Sequence, residues 1–149
     1  MQPNKNLNTR NILMIISYDG SNYHGWQVQK NAITVQEIFQ NALEKVLKHK
    51  VDIKGCSRTD SGVHANMYAV SFLTFNKIKC ENLVLAMNKF LPDDIAVTTC
   101  KEVKKDFHAR YSCTGKEYIY KIWNKKIKNP FLKKRAYHYW YNLDIDILK

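Results

Sequence analysis

The sequence predicts an α+β fold: a ferredoxin-like β-α-β-β-α-β core whose antiparallel sheet is extended by additional C-terminal strands. Three observations carry this expectation. Short apolar or β-branched runs alternate in order with two stretches of helical periodicity. Turn residues mark the boundaries between them. The 149 residues, 45% of them hydrophobic, suffice for one domain with its own core.

The elements follow in order. Residues 1–10 (MQPNKNLNTR) are polar and are expected to form a flexible N-terminal tail, leaving 11–149 as the α+β domain. Asn11 to Tyr18 (NILMIISY) reads as a buried strand ending at the turn signal Asp19-Gly20. A loop rich in Gly, Asn and aromatic residues leads to Thr34, where Thr34 and Glu37 have the spacing of a capping box. Behind that cap, Val35, Ile38, Phe39, Ala42, Leu43, Val46 and Leu47 form one apolar stripe at helical spacing, which core packing explains in full. Val51 to Cys56 predicts a second strand and residues 66–75 a third, β-branched and aromatic-rich. Glu81 to Phe90 is a shorter helix with Leu83, Val84, Met87 and Phe90 on one side, stopped by Leu91-Pro92. Ile95 to Val103 gives a fourth strand, and Lys116 to Trp123 and Ala136 to Tyr141 two more. The chain ends within a new apolar-periodic pattern, LDIDILK, as expected of one continuing into a further domain.

Composition narrows the function class. No apolar run approaches the ~20 residues of a membrane span, and no apolar stretch of signal-peptide type follows the polar start. A cytoplasmic protein is expected. The net charge is +11, and residues 101–149 hold 13 basic against 5 acidic residues. Such an excess suits a polyanion partner, although a generally basic surface is the plainer reading. Cys56, Cys80, Cys100 and Cys113 show no CxxC pair, and the five histidines no metal-type pairing, so no metal is expected.

The segment SRTDSGVHA, residues 57–65, places Asp60 two positions after Arg58 between a strand and Gly62. A guanidinium beside a carboxylate favours its ionised form and can hold it by charge-assisted hydrogen bonds. A carboxylate so placed is a candidate nucleophile. The same residues also suit an ordinary Asx-turn closed by a local ion pair, and the tripeptide alone does not separate the two.

The wider context does. YDGSNYHGWQVQ (18–29), TVQE (34–37), SRTDSGVHA, LPDDIAV (91–97), DFHARYS (106–112) and KEYIYKI (116–122) occur in one order. Together they resemble the N-terminal half of the tRNA pseudouridine synthase A family, over about residues 11–141. Ser57 stands where Gly is commoner in that family, and Ser61 where Ala is common; neither removes a reactive group.

The resemblance implies a cofactor-free isomerisation of uridine to pseudouridine at positions 38 to 40 of the tRNA anticodon arm. It assigns the nucleophile to Asp60, with attack at C1′ of the sugar or at C6 of the base left open. Arg58 matches the residue associated with base flipping; a salt bridge within the loop is its simpler role. Tyr118 matches the aromatic that packs on the target base, although on a strand it would also suit a core. Phe107, His108, Ala109, Arg110 and Tyr111 match a segment that contacts RNA, with Phe107 equally suited to anchoring the loop. Lys126 and Tyr139 fall at positions near tRNA, within a run that also holds Lys125, Lys128, Lys133, Lys134 and Arg135. Ile78 occupies a site where a basic residue can occur, leaving Lys77 or Lys79 as substitutes. His24 and His64 are expected to structure loops. The resemblance further implies a second, C-terminal domain that closes the cleft, and a homodimer. A chain of 149 residues is then expected to be weakly active or inactive alone. The rival reading, a non-catalytic RNA-binding module on a ferredoxin-like sheet, lacks a recognisable RNP-type pattern of aromatics and glycines.

Overall fold

The computed structural model describes residues 9–148. The first strand, β1 (Arg10–Tyr18), is central in a four-stranded sheet. It takes in Arg10, which the sequence placed in the tail; residues 1–8 of that tail lie outside the described residues. Arg10 belongs to the strand because its backbone pairs with Thr74, and its guanidinium is held as well. It donates to the Ile78 carbonyl at 2.9 Å and lies 3.0 Å from a Glu102 carboxylate oxygen.

Helix α1 (Val35–Leu47) begins where the sequence put it, with the Thr34 hydroxyl accepting from the Glu37 amide at 3.4 Å. Then come β2 (Lys54–Gly55), β3 (Ala65–Thr74), α2 (Cys80–Phe90) and β4 (Ile95–Val103). The sheet order is β2-β3-β1-β4 and every neighbouring pair is antiparallel. β1 and β2 therefore run parallel with β3 between them, and β3 and β4 run parallel with β1 between them. That is the split βαβ order of the sequence reading, and the fold is α+β.

The core lies between one face of this sheet and the two helices. Ile12, Met14 and Ile16 alternate inward along β1 and meet Val70 and Phe72 of β3, Phe39 and Leu43 of α1, and Leu83 and Met87 of α2. Each such fully buried side chain contributes about 1.5–3 kcal/mol. Phe90, expected on the buried side of α2, is 52% exposed because the helix ends there and the chain turns away at Leu91.

Strand β2 is shorter than the alternation predicted. Val51 and Ile53 are buried, but only Lys54 and Gly55 pair with β3, so burial here is achieved without a ladder. The C-terminal strands also differ from expectation. The chain divides into two compact units, 1–114 and 115–149. In the second, β5 (Ile122–Trp123) and β6 (Tyr137–His138) pair with each other in parallel as a separate two-stranded sheet instead of extending the first. Residues 114–121 form neither helix nor strand. The terminal pattern resolves into one exposed 3-10 turn, Ile145–Leu148.

Candidate active site

The loop that follows β2 carries Ser57, Arg58, Thr59 and Asp60. Along it, half-buried and exposed residues alternate: Ser57 and Thr59 turn partly inward, while Arg58 and Asp60 are exposed. The inward residues are held by buried tyrosines. The Tyr68 hydroxyl donates to the Ser57 carbonyl and accepts from the Ser57 amide. The Tyr18 hydroxyl lies 2.9 Å from Thr59 Oγ1. Burial pushes the Tyr18 phenol up to about 12 and raises Tyr68 as well, so both remain protonated hydroxyls.

A second loop, residues 19–29, forms the bed for the first. The Trp26 amide donates to the Thr59 carbonyl at 3.1 Å, and the Gly62 amide and Ser61 hydroxyl both donate to the Tyr23 carbonyl. This closeness requires glycine at two points. A Cβ on Gly25, whose φ is +81°, would stand 2.3 Å from the Thr59 oxygen, and one on Gly20 would stand 2.0 Å from the Val63 oxygen. His64 completes the clamp: its Nδ1 lies 3.0 Å from the Gly20 amide and 2.9 Å from Asp19 Oδ1. Unprotonated, that nitrogen accepts from Gly20; protonated, it pairs with Asp19, so the ring ties the turn down in either state. His64 thus has the loop-structuring place the sequence suggested.

The LPDD segment supports the bed from the other side. Asp94 accepts from the Tyr23 hydroxyl at 2.5 Å and from Asn22 Nδ2 at 3.3 Å, while its carbonyl accepts from the Asp19 backbone amide. Burial, and then this carboxylate, raise the Tyr23 phenol.

The FHAR segment is fixed by two buried polar side chains on the face of the sheet away from the helices. Asn11 donates to the carbonyls of Lys104 and Phe107 at 2.9 and 2.8 Å, and the Ala109 amide donates to Ser71 Oγ at 2.9 Å. Ala109 is 2% exposed, so it is an anchor and presents no surface for contact. Phe107 is half-buried. Arg110 and Tyr111 are the exposed members, and the Tyr111 ring packs on His108 with centroids 4.4 Å apart.

These anchors bring two distant segments to one cleft of about 310 Å³. Trp26, Lys54, Arg58, His108, Arg110 and Tyr111 line it, among others. Lys54 is partly neutralised by Asp52 at 2.5 Å, whereas no acidic partner lies within ion-pair distance of Arg58 or Arg110 among the described residues. The local pair considered between Arg58 and Asp60 is not made, and both residues are exposed. Asp60 itself is outside the cleft lining. The sequence reading missed Tyr18, Tyr68, Asn11 and Asp94, because each sits in a run that reads as ordinary core or turn.

The second unit holds the remaining predicted residues. Tyr118 is 65% exposed on irregular backbone, so neither the strand nor the core packing considered for it is present in this unit. Tyr139 is half-buried, with its ring stacked near Tyr137 and set edge-on to Tyr141. Lys125, Lys126 and Lys128 line an open cleft of about 510 Å³ with Trp123 and Pro130. No helix among the described residues is long and apolar enough to cross a membrane.

A family model for tRNA pseudouridine synthase matches residues 14–112, which include both loops and the Ala109 anchor. The tRNA pseudouridine synthase A of Thermoanaerobacter sp. (strain X514) is 48% identical over 140 residues, 94% of this chain and 57% of the relative. That of Ruminiclostridium cellulolyticum is 50% identical over 129 residues, 87% of this chain and 53% of the relative. The Aquifex aeolicus protein of the same name is 42% identical over 139 residues, covering 93% and 58%. The chain thus spans little more than half the length of these relatives. With two clamped loops, an exposed carboxylate and a basic cleft inside the matched region, the chain belongs to the tRNA pseudouridine synthase family.

Proposed function

We propose that this chain is the N-terminal, catalytic half of an enzyme that isomerises uridine to pseudouridine at positions 38 to 40 of the tRNA anticodon arm, with Asp60 as nucleophile. The observation that carries the reading is the outward pair on a fixed loop. Asp60 and Arg58 are exposed while the residues between and before them are pinned. A nucleophile must reach its target without a search over conformations, and a pinned loop supplies that.

The chemistry needs no redox partner. The N1–C1′ bond breaks, the uracil turns, and a C5–C1′ bond forms; C5 loses a proton and N1 gains one. Asp60 supplies an electron pair at C1′ or at C6 and recovers it when the intermediate collapses. The uridine must first leave its stack, at a typical cost of a few kcal/mol. Arg58, lining the cleft with no acidic partner among the described residues, is suited to the vacated space or to a flanking phosphate. Arg110, His108 and Tyr111 add phosphate and stacking contacts along the same cleft. Tyr118, exposed and unpacked, is available to stack on the extruded base, and Lys126 and Tyr139 contribute RNA contacts.

The reading extends to the whole protein: a cytoplasmic homodimer in which a second domain completes the pocket. The test uses this sequence carried on to its relatives' length. Unmodified tRNA is incubated with enzyme and pseudouridine is mapped. Asp60→Ala is expected to lower product formation by about 10³-fold or more. Undiminished product from that variant ends the nucleophile assignment. The 149-residue chain alone is expected to be weak or inactive, and normal turnover by it would overturn the need for a second domain.

A further inference from the structure

We infer that the hydroxyls of Tyr18 and Tyr68 are positioning groups that set the direction in which Asp60 and Arg58 leave the chain. The inference rests on the reading of Asp60 as nucleophile and adds two residues that neither touch the reacting atoms nor line the basic cleft.

The two tyrosines are 4% and 3% exposed and come from neighbouring strands, β1 and β3. Their rings lie edge to face with centroids 5.7 Å apart, and Trp26 closes the cluster at 4.3 Å from Tyr68. Such a cluster on a hydrogen-bonded sheet has little freedom to move. From it, two hydroxyls reach the reactive loop at residues two apart: Tyr68 at Ser57 and Tyr18 at Thr59. Tyr68 holds the main chain at Ser57, through its N–H and C=O, and Tyr18 holds the Thr59 side chain; along the segment Ser57 and Thr59 are half-buried while Arg58 and Asp60 are exposed. With the main chain tethered at 57 and the side chain at 59, the short stretch between and after them is left to present 58 and 60 to solvent. Simple satisfaction of buried polar atoms would require each hydroxyl to find some partner. It would not require both to find partners on alternate residues of one loop.

The experiment compares steady-state pseudouridine formation by Tyr18→Phe, Tyr68→Phe, Thr59→Val and Thr59→Ser in the full-length enzyme, with Asp60→Ala as reference. Phe keeps the ring packing and removes only the hydroxyl, and Val removes the same bond from the loop side. The expected result is a fall in kcat of about tenfold or more for both Phe variants and for Thr59→Val, with KM for tRNA within about twofold. Thr59→Ser should restore kcat to within about twofold, and Tyr18→Phe combined with Thr59→Val should be no worse than either alone. If Tyr18→Phe folds poorly, the two Thr59 variants decide its part from the loop side, and for Tyr68→Phe the rate per folded molecule decides. Unchanged kcat while Asp60→Ala is inactive overturns the inference and leaves the site reading standing. So does a loss confined to KM, or one that vanishes when rates are expressed per folded molecule. Activity in Asp60→Ala removes the site reading and this inference with it.

Discussion

The two units of the chain solve the problem of holding functional side chains in opposite ways. In the first, the buried core of the described residues runs no further than Ala109, and the candidate reactive loop is tied down at nearly every step. In the second, aromatic and aliphatic side chains are largely exposed: Tyr120 at 90%, Phe131 at 88% and Ile147 at 79%. Its order comes from polar ties instead, such as Asn124 donating to the carbonyls of Tyr139 and Tyr141 at 2.7 Å. Net hydrogen-bond gains are about 1 kcal/mol each in water, whereas a buried large side chain is worth more. The first unit is built to hold a geometry; the second presents surface.

Hydrogen exchange tests that contrast most directly. Amides of β1 and β3 should exchange more slowly than those of residues 115–121 by about a thousandfold or more. Comparable protection in both would erase the distinction. The next largest effect is expected inside the first unit. Gly25→Ala should destabilise it by about 2–4 kcal/mol in denaturant titration, from the left-handed φ and the Thr59 oxygen together. A neutral result would mean that the two loops are less closely bound than their hydrogen bonds indicate.

The buried tyrosines give a pH test confined to the same unit. The folded state raises Tyr18 from 10.0 to about 12, so it holds the phenolic proton more tightly than the unfolded chain. Its contribution is complete below pH 10 and is lost between pH 10 and 12, worth up to about 3 kcal/mol. Tyr18→Phe should flatten the fall of stability in that window; an unaltered slope would remove Tyr18 as its source. The smallest effect belongs to the second unit. Replacing Lys125, Lys126 and Lys128 with Gln should make the salt dependence of tRNA binding shallower, by up to about 0.9 in log–log slope for each phosphate no longer neutralised. No change in slope would take these lysines out of the RNA interface.

The same division explains what the sequence could and could not reveal. The start of helix α1 and the bounds of strand β4 were legible, the first because a cap and an apolar stripe are local properties. Of the strands expected at 116–123 and 136–141, only Ile122–Trp123 and Tyr137–His138 pair, although Tyr118, Tyr120 and Ile122 have the spacing of a longer strand. Val51 and Ile53 misled in the opposite sense, buried without pairing. At the site, Asp60 and Arg58 stood out by motif. Their supports did not, because the approach of Tyr18 and Tyr68 depends on a register that pairs Ile16 with Tyr68 and Tyr18 with Ala65. Register is a relation between strands and leaves no mark on either alone.

The close approach at Gly20 and Gly25 has a consequence for anyone who would move this site elsewhere. Residues 57–64 do not own their shape; residues 19–29 supply the mould, and Asp94 braces the mould. A graft of the SRTD segment alone would carry the reactive groups and leave their aim behind. The smallest portable piece is both loops with the strand segments that bear Tyr18 and Tyr68 and the turn that bears Asp94, and substitutions in one loop should be accepted or rejected according to what occupies the other.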